Sequence, residues 1–463
     1  MNALPLSWSW ADLGTLADVQ WGSTSITKSS YVASGYAAFS ATGHDGMLSH
    51  FEHDGPGIVL SAIGARCGKC FRADGQWTAI KKTITIAQAA VERDYLFPYL
   101  NDEDRWPNKG GAQPFITLAA ARSVSVPIPP LLEQRRIVTK IDSLTGKSKR
   151  ARDQLDHIPR LVEKYKQAVL AAAFRGDLTR EWRADLKDAE TADALVARTE
   201  EPDQSRGGRE ATTNVKPGVA GLSVNDPGLP TPEGWAWVRL RRIARQETGH
   251  TPSRSKAEYW DGGIPWVGIR DAGSHHGTII EQTLQTVSQE GLTNSSARLL
   301  PTGTVCLSRT ASVGYVTIMG RPMATSQDFA TWTCTNALLP KYLMYALMAE
   351  GENIREFGEG STHTTIYFPE IRALHICLAP SDEQHEIVRR IETSLAWIDR
   401  LASETTSARK LIDRLDQAVL AKAFRGELVP QDPSDEPASV LLERIRAERG
   451  AAPKAKRGRR AGA

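Results

Sequence analysis

The sequence predicts a mixed α/β (α+β) fold of two globular domains, each followed by a long helix, the two helices pairing antiparallel as a coiled coil. Three observations carry this expectation. The first is an internal repeat at a fixed offset. Glu133-Gln134, Ile137-Val138 and Ile141 return as Glu383-Gln384, Ile387-Val388 and Ile391, and Ala173-Phe-Arg-Gly176 returns as Ala423-Phe-Arg-Gly426. The second is the apolar period inside those copies: Ile387, Ile391, Leu395, Ile398, Leu401, Ala408, Ile412, Leu415 and Val419 step by three and four, as a coiled-coil seam does. The third is a looser repeat before each copy. Trp8-Ser-Trp10-Ala-Asp-Leu13 matches Trp235-Ala-Trp237-Val-Arg-Leu240, and Tyr95-Leu96 matches Tyr342-Leu343, at offsets that drift as if loops had been inserted.

The elements follow in order. Residues 1–130 form the first domain, with strand-like runs such as 57–62 and a short helix over 94–100. Residues 131–183 form the first long helix, started after Pro129-Pro130 and stopped by Gly176. Its seam is Ile137, Ile141, Leu144, Leu155, Ile158, Val162, Tyr165 and Val169, with weaker Ser148 and Arg152 in the middle, and Pro159 should kink or divide it. Residues 184–231 mix charges with Gly, Pro and Thr and read as a linker. Residues 232–380 repeat the first domain, with a strand over 303–308 and a helix over 340–347, and residues 381–430 repeat the helix. About 39 helical residues at 1.5 Å each make a rod of roughly 60 Å. Residues 431–463 read as a C-terminal helix and a basic tail. A dimerising coiled coil fits the period alone; two equal copies in one chain favour pairing with each other.

Composition bounds the function classes. The chain has 463 residues, a net charge of +3, 41% hydrophobic and 7% aromatic content, which fits folded domains and excludes a disordered or collagen-like chain. No apolar run reaches the roughly 20 residues of a membrane span, and the start lacks a signal-like segment, so a cytoplasmic protein with no membrane partner is expected. Five Cys are too few and odd for a disulfide scaffold. The charge is segmented: the two domains carry −1 and 0, the first helix +6, the linker −4, the second helix −1 and the tail +3. Near neutrality overall therefore says little about any one surface.

Several catalytic patterns are near misses or absent. Gly64-Ala-Arg-Cys-Gly68-Lys69-Cys70 resembles a phosphate loop, yet Ile63 stands where the leading glycine belongs and Cys70 where Ser or Thr would hold magnesium. Cys67 and Cys70 have the spacing of half a zinc site without a second pair, so buried thiols are expected there. His50, His53, His275 and His276 read as polar loop residues. No nucleophile elbow, zinc-protease helix or dinucleotide fingerprint is present, and there is no Asp/Asn-Pro-Pro-Tyr/Phe motif of an amino methyltransferase. A scaffold with two readers and no visible catalyst remains.

At these residues the chain resembles the specificity subunits of type I restriction-modification systems. The resemblance rests on the Pro-x-x-Glu-Gln helix starts, the endings Ala173 to Leu178 and Ala423 to Leu428, the opening Gly234 to Leu240 and the loop Gly358-Glu-Gly-Ser-Thr-His363. The first domain departs from it, with Ser7 in place of Gly234 and Gly110-Gly-Ala-Gln113 in place of the Ser-Thr-His loop. The resemblance implies that each domain is a target recognition domain reading half of a bipartite double-stranded DNA sequence. It implies a helix pair that sets the unspecified spacing and docks two methyltransferase subunits. Those subunits carry S-adenosylmethionine and methylate adenine at N6; two motor-endonuclease subunits use ATP and Mg. This chain itself would be non-catalytic and bind no cofactor.

Base readout needs forked or bidentate groups, while hydroxyls and backbone amides position phosphates. On that ground the DNA-binding candidates are Arg66, Lys69, Lys81, Lys82, Lys109 and Gln113 in the first domain. In the second they are Arg309, Ser312, Ser326, Gln327, Thr362 and His363. For each one, a loop-stabilising hydrogen bond is the competing role. Trp10 and Trp237 are expected in packing, not base stacking. Lys147, Lys149, Arg150 and Arg152 are expected to face DNA, a methyltransferase or solvent. A different class of function, a coiled-coil protein whose two domains bind protein partners, fits the same architecture.

Overall fold

The computed structural model describes residues 4–107, 113–186, 190–204, 209–310, 312–359 and 364–451. The chain folds as two compact units, one from Met1–Asp156 and Thr406–Ala463, the other from His157–Thr405. Each unit therefore holds one mixed α/β domain, a stretch of the helix that leaves it and a stretch of the other helix.

The first long helix runs Leu131–Leu155 and resumes as Ile158–Phe174. Pro159 accounts for the break: it has no N–H to donate, and its ring crowds the carbonyl four residues back. The second copy lacks that proline and runs unbroken over Ser381–Ala423, 43 residues. Each helix is followed by a glycine in the left-handed region, Gly176 at φ 75° and Gly426 at φ 74°, which ends the helix at little steric cost. A Cβ on Gly176 would meet the Pro232 ring at 2.5 Å, so the turn also lets the chain pass close to the second domain.

In the first unit, the main sheet runs in the order Asp18–Trp21, Thr83–Ala87, Gly57–Ser61, Cys70–Ala73, all antiparallel. The second unit repeats this order with Ala244–Thr248, Phe329–Cys334, Val305–Ser308 and Val316–Met319, and adds Ile279–Ile280 in parallel at the edge. A second ladder closes each domain, pairing Ser9–Asp12 with Ser125–Ile128 and Ala236–Arg239 with Leu374–Leu378. Alternating apolar side chains from these strands bury against a short helix, Arg93–Leu100 or Pro340–Ala349, and against the long helices. In the first unit, Ile137 and Ile141 share the core with Val419 and Ala423. In the second, Leu170 and Phe174 share it with Ile387 and Ile391. Burying each such large side chain stabilises by roughly 1.5–3 kcal/mol.

One joint occurs in both units. Glu133, buried at the first helix start, accepts from the Trp8 indole at 3.1 Å and from Gln431 at 2.6 Å. Glu383 accepts from Trp235 at 2.8 Å, the Thr179 hydroxyl at 2.6 Å and Arg183 at 2.5 Å. The next residue finishes the contact. Gln134 donates to Pro129 O and accepts from the Glu92 N–H, each at 3.0 Å. Gln384 donates to Ala337 O and Ala379 O and accepts from the Leu339 N–H, each at 2.9 Å. The aromatic of each helix ending packs on the tyrosine beside the joint: Phe424 lies 5.5 Å from Tyr95, and Phe174 5.0 Å from Tyr342.

Three expectations are corrected. Residues 184–231 are packed structure over much of their described length: Ala192–Ala197 is helical, Ala192 and Leu195 enter the core, and Leu222–Val224 extends the second unit's closing ladder. The same helix position is filled in the first unit by Ala438–Ala451, whose first N–H donates to Ser7 O at 2.9 Å as that of Ala192 donates to Gly234 O at 2.8 Å. The expected seam positions Tyr165, Leu401 and Leu415 are exposed. In the first unit, between the apolar core positions and the break in the first helix, the contact between helices is polar: Ser148 donates to Asp416 at 2.6 Å, Arg152 reaches Asp413 and Asp416 at 2.8 and 2.7 Å, and Arg409 pairs with Asp156. Ser148 and Arg152, the weak positions of the expected seam, thus do face the other helix. Trp10 is exposed, while Trp8 and Trp235 are the buried members of the two Trp-x-Trp openings.

Removing the Glu383 carboxylate would strand Arg183, Thr179 and Trp235 together, whereas Glu133 has neutral donors only. We expect Glu383→Ala to destabilise the second unit by about 3 kcal/mol and Glu133→Ala to destabilise the first by about 1–2 kcal/mol. Hydrogen exchange in Ala236–Arg239 and Ser9–Asp12 reports the two separately; equal effects would contradict the charged joint.

Candidate nucleic-acid interface

Three connections converge at one end of each main sheet because the strands on either side of them are hydrogen-bonded neighbours. In the first unit, the Ala62 N–H donates to Lys82 O at 3.0 Å, the Ile116 N–H to Ala62 O at 2.8 Å and the Gly64 N–H to Pro114 O at 3.0 Å. The segments carrying Arg66 and Lys69, Lys81 and Lys82, and Gln113 are thereby brought together. All five side chains are exposed. Arg66 donates to Thr42 O at 3.3 Å, which leaves most of its fork free. Lys82 sits at φ 73°, a left-handed conformation that costs a non-glycine residue about 1 kcal/mol. Lys109 lies outside the described residues.

The adjoining loop of the first unit is organised by Asp45. Its carboxylate accepts from Tyr31 at 2.7 Å, Ser40 at 2.5 Å, Thr42 at 2.8 Å and Lys28 at 2.5 Å. Burial opposes the charge, but these donors together hold the carboxyl well below the usual carboxylate range. The loop that receives Arg66 is therefore fixed at its base.

The second unit makes the same convergence from different residues. The Arg309 N–H donates to Asp328 O at 2.8 Å and the Ile366 N–H to Arg309 O at 2.9 Å. Arg309, Ser312, Ser326 and Gln327 are thus on neighbouring segments, while Thr362 and His363 lie outside the described residues. Their environments differ. Arg309 is half-buried, donates to Gln327 O at 2.9 Å and lies 4.4 Å from the Phe368 ring; burial pushes its guanidinium down from the usual arginine value. Ser326 is buried and donates to Asp328 at 3.0 Å, and the Ser312 carbonyl receives the Ser308 hydroxyl. Gln327 is exposed, with its Oε1 accepting from Thr251 at 2.6 Å and, among the described residues, no partner on its NH2. Arg309 and Ser326 act as braces of this surface, and Gln327 is the candidate whose polar edge is presented.

Residues missed by the sequence reasoning adjoin this surface. A cleft of about 520 Å³ is lined by Arg254, Trp266, Arg270, Asp271, Gln285, Ser326 and Asp328 among others. The signal was a cation flanked by hydroxyls, Ser253-Arg254-Ser255, ahead of Trp260 and Trp266. The thiols are structural: Cys67 donates to Ala62 O and Cys70 to Leu100 O, and burial pushes both up. His53 stacks on Trp77 at 4.2 Å, and His276 Nδ1 accepts from the Val316 N–H at 3.0 Å; burial pushes both imidazoles down. Among the described residues no cluster of three His, Cys, Asp or Glu is placed to hold a metal, and no helix is long and apolar enough to cross a membrane.

Comparison with known proteins agrees with this layout. A family model described as the type I restriction modification DNA specificity domain matches residues 14–158 and 232–406, one copy per α/β domain. The specificity subunit of the type I restriction enzyme EcoDI from Escherichia coli is 23% identical over 97% of this chain and 96% of its own length. The EcoKI specificity subunit from Escherichia coli strain K12 is 25% identical over 71% of this chain and 64% of its own. In solved structures, a chain of a type I R-M system superposes with a TM-score of 0.64 at 19% identity, covering 92% of this chain and all of that one. The HsdS subunit from Thermoanaerobacter tengcongensis gives a TM-score of 0.59 at 20% identity, covering 92% and 99%.

The contrast between braces and presented groups is testable. We expect Arg309→Ala to destabilise the second unit by about 1–2 kcal/mol, through the lost carbonyl bond and ring contact, and Gln327→Ala to change stability by under about 0.5 kcal/mol. Hydrogen exchange in Phe329–Cys334 measures both; an inert Arg309→Ala would free that guanidinium for readout.

Proposed function

The chain belongs to the type I restriction modification DNA specificity family, and from that premise we propose how it acts. It is the sequence-specific DNA-binding subunit of a type I restriction-modification complex, working on double-stranded DNA beside methyltransferase and restriction subunits, with the cytoplasm as its place of action. The observation that carries this reading is the duplicated loop convergence: the same backbone frame at the same sheet end presents different side chains in the two domains. A shared frame with unlike surfaces suits two readers of two unlike half-sites.

The remaining steps are part of the proposal. The two long helices pair antiparallel as a coiled coil related by an internal twofold repeat; the Ser148–Asp416, Arg152–Asp413 and Arg409–Asp156 contacts support it, because one position falls as the other rises. The pair acts as a ruler that fixes the number of unspecified base pairs. Two methyltransferase subunits dock on it, bring S-adenosylmethionine and methylate adenine at N6, and two motor-endonuclease subunits use ATP and Mg. This chain addresses the complex and does no chemistry. A protein-binding coiled coil is not favoured, since family membership spans both domains.

A heptad added to each helix, after Gln154 and after Ser407, lengthens the ruler by about 10 Å, or about three base-pair steps at 3.4 Å. Selection of bound duplexes by the assembled complex should return the original half-sites with the spacer lengthened by about that amount. An unchanged spacer contradicts the ruler, and altered half-sites contradict the assignment of readout to the domains.

A further inference from the structure

In the second unit, the segment from Gly249 to Lys256 leaves the strand Ala244–Thr248 at the sheet end where the Arg309 and Gln327 loops converge. It is tied down there: the His250 N–H donates to Thr325 O at 2.9 Å, and the Thr251 hydroxyl to Gln327 Oε1 at 2.6 Å. Arg254 stands out on it. Its guanidinium lies 4.3 Å from the Trp260 ring centroid and 5.5 Å from that of Trp266, and Nη1 donates to Gln285 Oε1 at 3.2 Å. The two indoles brace the loop in return, Trp266 donating to His250 O at 3.1 Å and Trp260 to Ser253 O at 3.2 Å.

The arrangement holds a guanidinium plane still while leaving its charge uncompensated. Among the described residues Arg254 has an amide and no carboxylate as its polar partner. The two acids of the adjoining cleft are already engaged. Asp271 accepts from the Gly268 and Leu284 N–H groups, and Asp328 from the Thr310 and Ser326 hydroxyls. Flanking Arg254 are the hydroxyls of Ser253 and Ser255, 2.9 Å apart and exposed. A fixed guanidinium fork beside this hydrogen-bonded hydroxyl pair, whose accepting member keeps its own proton to donate, is a donor set that a phosphate diester takes.

We propose that Arg254, with Ser253 and Ser255, grips a phosphate of the DNA backbone and so seats the second domain without reading sequence. This rests on the DNA-specificity reading and names the contact. Backbone is favoured over base edge by the other domain. The first-unit segment from Gly22 to Lys28 leaves its strand, Asp18–Trp21, at the same sheet end and is likewise rich in hydroxyls and ended by a cation. Two domains built to read unlike half-sites share only the backbone as a ligand. Lys28 is held by Asp45 at 2.5 Å, so the grip is assigned to the second unit alone.

The test uses the assembled complex with wild-type chain, Arg254→Ala and Arg254→Lys. Binding is titrated over salt on the recognised duplex and on duplexes carrying single base-pair changes. Arg254→Ala should weaken binding on the order of 10-fold, by the same factor on every duplex, and should reduce the log–log salt slope by about 0.9. Arg254→Lys keeps a charge there and should keep the slope, which separates lost contact from lost folding. An unchanged slope in Arg254→Ala, or a loss confined to one base pair, overturns the proposal. A wild-type complex that binds all duplexes alike fails the DNA-specificity reading instead.

Discussion

Each unit depends on a carboxylate buried at the start of a long helix. Glu133 and Glu383 lie under their domains and take indole and side-chain donors from segments distant in the chain. A buried carboxylate is tolerable only when its lone pairs are used, so the helix start, the Trp-x-Trp opening and the segment after the opposite helix must all arrive together. That requirement fixes where each domain sits along its own helix. It also explains why the offset between the helix copies stays constant while the domains drift in length: an added residue in a loop leaves the joint alone, whereas one in a helix moves it.

The joint is shared, and the surfaces it supports are not. In the first unit the sheet end displays Arg66 and a pair of lysines, one in a strained backbone conformation, beside a loop fixed by Asp45. In the second, Arg309 is sunk into its own backbone and ring partners, and Gln327 and Arg254 stand outward. Near-zero charge in both domains suits such a protein. A bulk electrostatic clamp needs excess charge, but a few fixed donors do not.

Much of the architecture was legible because repetition is a strong signal. The helix starts and stops, the division at Pro159 and the short helices near 94–100 and 340–347 follow from residues whose backbone preferences leave little choice. The segment 184–231 was misjudged because its helix, Ala192–Ala197, is short and its Gly and Pro content resembles a linker; only tertiary contact with Gly234 and the closing ladder orders it. Leu415 fits the heptad yet is exposed where Ser148, Arg152, Asp413 and Asp416 make the contact polar, and Tyr165 and Leu401 are exposed in the second unit, where Lys166 pairs with Asp399. Within the loops, residue type alone did not separate a presented Gln327 from a buried Ser326. Arg254 was overlooked because its importance comes from two tryptophans that the fold brings beneath it.

As proposed, this chain supplies the DNA address of a modifying complex. Base-modification sequencing of the host genome, with and without this chain and with the methyltransferase present throughout, tests it most directly. We expect a split N6-methyladenine motif, two specified blocks around unspecified pairs, that vanishes when the chain is removed and returns when it is restored. A modification pattern indifferent to its removal would contradict the account.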